Sequence, residues 1–199
     1  MLIFEKNFVM KSIITLLLIS TLSFAQSVEA LKSESKKMYD ASYNMDFEKV
    51  LDYTYPKIFD IVSKDVLLKS MDQAFQNDVL RIRLVFPEPT FSYSDLKKIE
   101  DKTFCVIRYN SAMRIIFEDP LSSEQITQMT NSFNENMKNK KVTFEKSRNG
   151  FYVEGEEIMI GVSDELTNNE WKFINYDSNQ SRIFQMIFNE SIKKELGLN

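Results

Sequence analysis

The chain has 199 residues, with 25 Lys and Arg against 29 Asp and Glu, a net charge of −4, and 43 % of its residues are apolar. A mildly acidic balance argues against nucleic acid or an anionic membrane as the main partner. There is no histidine and only one cysteine. That rules out Ser-His-Asp and Cys-His catalysis, His-based zinc, the two-His iron triad and thiolate metal sites. Any chemistry therefore rests on carboxylates, Tyr, Lys or Arg, and no cofactor and no metal is implied.

Residues 1–25 read as a cleavable signal peptide. Lys11 supplies the positive n-region, Ile13 to Leu22 is a short apolar run, and Ser23-Phe24-Ala25 places small residues before a cleavage at Gln26. Met10-Lys11-Ser12 is the natural start of such a signal. Spanning a bilayer takes about 20 predominantly apolar residues, and Gln26, Ser27 and Glu29 end this run too soon. The lone Cys105 stands far from the cleavage site, so a lipid anchor is not expected. The expectation is an exported protein, periplasmic or extracellular, with no stable membrane insertion after cleavage. Residues 26–199 then form a single domain, long enough to bury roughly 70 % of its unfolded surface without disulfide staples. Cys105 lies in the apolar run Phe104-Cys105-Val106-Ile107, where packing is the expected role of its thiol.

The first half patterns as helix. Ser27 can cap a helix to about Tyr43, with Val28, Leu31, Met38, Ala41 and Met45 on a stripe that Ser35 interrupts. Asp46 precedes a second helix that Pro56 breaks, and Ser63 caps a third carrying Leu67, Met71, Ala74 and Phe75. From Val79 the period becomes two: Leu80, Ile82, Leu84 and Phe86 alternate with Arg81, Arg83 and Val85, ended by Pro87 and Pro89. A strand over Phe91 to Ile99 follows. The apolar segment Thr103 to Phe117 is too long for an ordinary strand unless bent near Asn110-Ser111. Ser122 and Gln125 open a helix as a capping box, with Ile126, Met129, Phe133 and Met137 on its narrow stripe. Asn149-Gly150 signals a hairpin, and strands over Ile158 to Val162 and Trp171 to Tyr176 complete a sheet. A last helix, Arg182 to Leu196, ends at Gly197. Helices followed by mostly antiparallel strands give an α+β domain.

Two stretches resemble a known family. Asp46-Phe47, Val50 and Asp52-Tyr53-Thr54-Tyr55-Pro56-Lys57 look like the second-helix segment of secreted bacterial members of the nuclear transport factor 2-like superfamily. Asn168-Asn169-Glu170-Trp171-Lys172-Phe173-Ile174 is similar to that fold's closing strand. The resemblance covers most of residues 28–177 as an order of elements. It implies a cone-shaped (cystatin-like) roll, N-terminal helices packed on a strongly bent, mostly antiparallel sheet, with an inserted and a C-terminal helix added. The superfamily holds isomerase-like and dehydratase-like enzymes as well as proteins that only bind, so fold analogy does not choose between them.

Four groups of residues are candidates for function. Asp46 is placed where a pocket general base or a plain helix N-cap would stand. Tyr53, Tyr55 and Asp60 surround the Pro56 break, where a pocket is expected first; packing is the competing reading. Arg81, Arg83, Arg108 and Arg114 all fall on strands and suit either an anion-binding patch or a solvated face paired with carboxylates. Glu154, Glu156 and Glu157 lack the ligand alternation of a calcium loop. The leading expectation is a non-catalytic domain that binds an unidentified small molecule or protein, with a homodimer as one possible assembly. The alternatives are an isomerase- or hydro-lyase-like enzyme using Asp46 or Asp60 with Tyr53, Tyr55 or Tyr109, and a structural role in the envelope.

Overall fold

The computed structural model describes residues 28–177 and 182–198. The expected signal peptide, its cleavage site and the Ser27 cap lie outside them. Helix α1 runs over residues 28–43, α2 over Phe47–Tyr53, α3 over Lys64–Phe75, α4 over Ser123–Asn136, α5 over Arg182–Ile187 and α6 over Glu190–Glu195. The strands are β1 (Leu80–Leu84), β2 (Phe91–Tyr93), β3 (Lys97–Ile99), β4 (Lys102–Phe117), β5 (Lys140–Glu145), β6 (Gly150–Ser163) and β7 (Lys172–Tyr176). They form one antiparallel seven-stranded sheet, open at its edges, so the domain is α+β. None of the described helices is long and apolar enough to cross a membrane.

Strands β4 and β6 are the spine, in unbroken register from Thr103 opposite Ser163 to Ile116 opposite Gly150. β1 pairs with the second half of β4, and β2 and β3 with the first; β5 and β7 divide β6 in the same way. Because side chains alternate, this register sorts the residues onto two faces. The first carries Cys105, Ile107, Tyr109, Met113, Ile115, Glu157 and Met159. The second carries Phe104, Val106, Arg108, Arg114, Tyr152, Ile160 and Val162.

Near the start of β4 both faces are covered. On the first face, α1 and α2 bring Leu31, Met38, Ala41, Phe47 and Val50 onto Cys105, Ile107, Met159 and Phe173. A methyl added at Gly161 would stand 2.9 Å from Leu31 Cδ1, so the missing side chain there lets α1 lie close on β6. On the second face, Phe184, Phe188, Ile192 and Leu196 from α5 and α6 pack on Phe104, Val106, Ile160 and Ile174. At roughly 1.5–3 kcal/mol for each large apolar side chain buried, these two layers carry most of the core. Near the end of β4 only the first face is covered: α4 packs half-buried Ile126, Met129 and Phe133 against Ile115, Phe151 and Val153.

Several expectations are corrected. The segment from Thr103 belongs to a single 16-residue strand that continues through Asn110-Ser111, paired along its length with the 14-residue β6, which joins two stretches expected as separate strands. Phe91 to Ile99 is instead two short strands, since Ser94 turns its backbone and hydroxyl to Val106 at 2.9 and 3.0 Å. The hairpin expected at Asn149-Gly150 does form, with β5 antiparallel to β6. A 3-10 turn, Lys146–Arg148, joins β5 to β6, and Asn149 closes it in the left-handed region at φ 50°. The C-terminal helix is two helices, because Asn189 caps a new one through the Ile192 amide. Ser35, which breaks the α1 stripe, is buried and bonds Tyr93 Oη at 2.9 Å. The capping box of Ser122 with Gln125 forms as expected.

Candidate functional site

Pro56 shapes a recess on the described surface. The residue before a proline is pushed out of the helical region: Tyr55 is extended at φ −61°, ψ 126°, and α2 stops at Tyr53, with Thr54 already extended. Pro56 then opens a 3-10 turn, Pro56–Asp60. The extended backbone reaches the sheet edge, where Thr54 bridges Phe173 and the Tyr55 amide donates to the Phe173 carbonyl at 2.9 Å. Tyr55 is fully buried, and its hydroxyl donates to Asp164 Oδ2 at 2.6 Å. Asp164 Oδ1 in turn accepts the Thr167 amide at 3.0 Å. The loop between β6 and β7 is thus tied to the break by a buried phenol–carboxylate bond across 109 residues of sequence. Burial, followed by the Asp164 charge, pushes the Tyr55 phenol far above its ordinary pKa.

Between the break and that loop lies a half-open recess of about 270 Å³. Leu51, Thr54, Pro56 and Phe59 line it from one side, and Leu166, Thr167 and Asn168 from the other. Its charged residues are Asp52, Lys64, Glu170 and Lys172. Lys172 Nζ donates to the Asp52 carbonyl at 3.0 Å and pairs with Glu170 at 3.4 Å. Lys64 stands 4.9 Å from the centre of the Phe59 ring, a cation–π contact.

The break is therefore where a pocket forms, but the three residues named for it do not converge. Tyr55 is core, Tyr53 is half-buried against α1 and α2, and Asp60 is exposed and paired with Lys57 at 3.6 Å. Asp46 is the N-cap of α2, accepting the Lys49 amide at 3.3 Å and pairing with the Lys49 ammonium. The Lys49 side chain and amide hold its carboxyl below the usual carboxylate range.

Tyr109 sits on the first face, its ring edge-on to Tyr39 at 5.6 Å and tilted to Phe91 at 5.4 Å. It is in register with Glu157, whose carboxylate is bound by Lys140. Burial and then the Glu157 charge drive the Tyr109 phenol well up. The Tyr39 hydroxyl donates to the Phe86 carbonyl at 2.6 Å, and its own pKa is pushed up to about 12, chiefly by burial. Cys105 is a packed thiol, raised by burial, in contact with the Ser94 carbonyl at 3.4 Å.

The four arginines all lie on the second face but do not form one group. Arg83 is directly opposite Arg114, and Arg81 is two residues away on the same strand. Arg108 is six residues from Arg114 along β4, roughly 20 Å at the usual rise, and pairs with Glu156 at 2.9 Å. Among the described residues no cluster of three or more His, Cys, Asp or Glu side chains is arranged to hold a metal ion. Glu154 and Glu157 instead pair with Lys141 and Lys140.

Sequence reading did not single out Asp164, Leu166 and Lys172, which build the recess with Pro56. Their one local signal is Asp164 three residues ahead of Thr167, a reciprocal capping pair around the short 3-10 turn there. No family model matches the chain, and no curated protein matches it either.

Proposed function

We propose that this chain is an exported, non-catalytic binding domain of the nuclear transport factor 2-like superfamily, periplasmic or extracellular, folded as a cone-shaped roll. Its ligand is a small molecule held in the recess at Pro56. The observation that carries this reading is the recess itself, about 270 Å³, flanked by side chains already committed to structure. Ligand sites run upward from roughly 300 Å³, so the recess suits a compact ligand of few heavy atoms. Phe59, Pro56, Leu51 and Leu166 offer it an apolar wall, while Lys64, Asn168 and Glu170 offer polar contacts at the margin.

The carboxylates suggested for catalysis have other duties. Asp46 caps α2, and Asp60 pairs with Lys57 on the surface. A general base needs a pKa near the working pH and reach to the substrate proton, and the lowered pKa of Asp46 points the other way.

Native mass spectrometry of the protein recovered from its own cells tests the binding reading. The expected result is a non-covalent adduct that survives gentle ionisation, disappears on denaturation, and is lost in Leu166→Trp, which fills the recess from an exposed position. A bare chain, or an adduct retained by Leu166→Trp, would overturn it.

One observation favours an enzyme as the second reading. Tyr109 and Glu157 are paired across β4 and β6 on the first face, a phenol and a carboxylate of the kind that moves a proton next to a carbonyl. Deuterium uptake from D₂O into an enolisable ketone, lost in Tyr109→Phe, would support that reading in place of the first.

A further inference from the structure

The uncovered end of the second face carries an arrangement that the recess does not use. Arg83 and Arg114 are directly opposed on β1 and β4. Like charges in that position repel and are ordinarily avoided. The two guanidinium groups resolve the conflict differently. Arg83 turns towards the end of α3, where Nη1 donates to the Ile82 carbonyl at 2.7 Å and Nη2 bonds Gln76 Oε1. It has no carboxylate partner among the described residues. Arg114 stays on the sheet, 5.3 Å from the centre of the Tyr152 ring, and gives Nε to Glu145 Oε2 at 2.8 Å. Arg148, on the turn between β5 and β6, points its own Nε at that same oxygen from 3.7 Å.

One carboxylate therefore holds Arg114 by a hydrogen bond through Nε and draws the Nε of Arg148 into ion-pair range. The Nη groups of Arg114 and Arg148, the paired donors that bind an oxyanion bidentately, have no protein acceptor among the described residues. The strands at this end present Arg81, Arg83, Arg114 and Lys141 on this face, against Glu145 and Glu154. Lys141 is matched to Glu154 at 3.1 Å and Arg81 to Glu118 at 3.7 Å. With Arg148 and Glu118 included, the local balance is two positive charges in excess, on a chain whose net charge is −4.

We infer that Arg114 and Arg148, set around Glu145 and Tyr152, form a binding site for a small oxyanion, a carboxylate, sulfate or phosphate group of one or two charges, with the uncompensated charge of Arg83 on the neighbouring strand adding to the local field. The size of the excess sets the class of ligand. Two uncompensated charges match a small anion, whereas the acidic remainder of the chain repels an extended polyanion. The half-burial of Arg114, 27 % exposed on its side chain, reduces the screening that weakens fully exposed pairs. Arg108, tied to Glu156 at the far end of the strand, takes no part. The site is on the opposite face from Tyr109 and away from the sheet edge that holds the recess, so its failure and that of the binding reading are separately visible.

The test is a titration of the full domain with inorganic phosphate, sodium sulfate and sodium citrate, each at constant ionic strength balanced with chloride. The arginine Nε–Hε signals are followed by ¹H–¹⁵N NMR. Saturable shifts are expected at Arg114 and Arg148, with Arg108 and Arg182 as internal controls that stay still. The three titrants separate the oxyanion classes by affinity. Arg114→Lys keeps the charge and removes the fork, and should weaken binding at least tenfold. Arg148→Gln alters an exposed turn residue, leaves the fold untouched, and should weaken it several-fold. Shifts of equal size at all arginines, linear in added salt, would overturn the site. Wild-type affinity in Arg148→Gln together with Arg114→Lys would do the same.

Discussion

The two ends of the β4–β6 ladder share one backbone register and differ in what covers them. At the first end, Phe104, Cys105, Val106 and Ile107 are all buried in sequence, because α1 and α2 lie on one face and α5 and α6 on the other. At the second end, burial alternates with position: Ile115 and Phe117 are packed under α4, while Arg114 and Ile116 on the reverse side are only half-buried. A continuous apolar run marks a strand covered twice, and an alternating one marks a strand covered once. The difference teaches where this molecule spends its stability.

Substitutions can break or sharpen that contrast. The largest effect is expected from Phe104→Ala in the doubly covered end, about 3–5 kcal/mol by denaturant unfolding. Ile116→Ala on the bare side of the other end should cost about 1 kcal/mol or less; equal losses would erase the distinction. Tyr55→Phe removes the hydroxyl that satisfies buried Asp164, with an expected cost of about 1–3 kcal/mol and loosening of the loop that walls the recess. Ser35→Ala strips a buried bond to Tyr93 and should cost on the order of 1 kcal/mol; no change would mean that α1 docks through its apolar stripe alone.

The smallest effect is one of pH. Asp46 has a lowered pKa in the folded chain, through the Lys49 side chain and then its amide. Its charge therefore stabilises the fold above the unfolded carboxylate pKa, about 3.9, and that contribution is lost as pH falls through the lower folded value. Asp46→Asn keeps a capping side chain without the charge. The stability gap between the two proteins should be constant near neutrality and close in acid; a gap that widens in acid contradicts the assignment.

Much of the fold was legible because its signals are local. Ser63, Ser122 and Asp46 stand where helices begin, the arginine–apolar alternation of β1 gives its faces, and the C-terminal apolar positions prove to be core. What misled was polarity in the middle of long strands. Asn110-Ser111 suggests a bend and Gly155-Glu156 a turn, yet they are paired with one another in the middle of the ladder. Asn110 even serves β2, accepting the Thr90 amide at 2.7 Å. The recess was half legible. Pro56 announced the break, but the opposite wall depends on Thr54 meeting Phe173 and on Tyr55 meeting Asp164. Nothing near either residue in sequence encodes such distant contacts. The arginine face was legible as a set, whereas the separation of Arg108 and the recruitment of Arg148 needed the register and the 3-10 turn.

Native-state hydrogen exchange along β4 tests most directly the claim that the end covered on both faces holds the fold and the end covered on one face does not. The account predicts that the amides of Phe104 to Ile107 exchange only through global unfolding, with the full denaturant dependence. Those of Met113 to Ile116 should open at a lower free energy and with a shallower slope. Equal protection at the two ends, or greater protection at the Arg114 end, would contradict it.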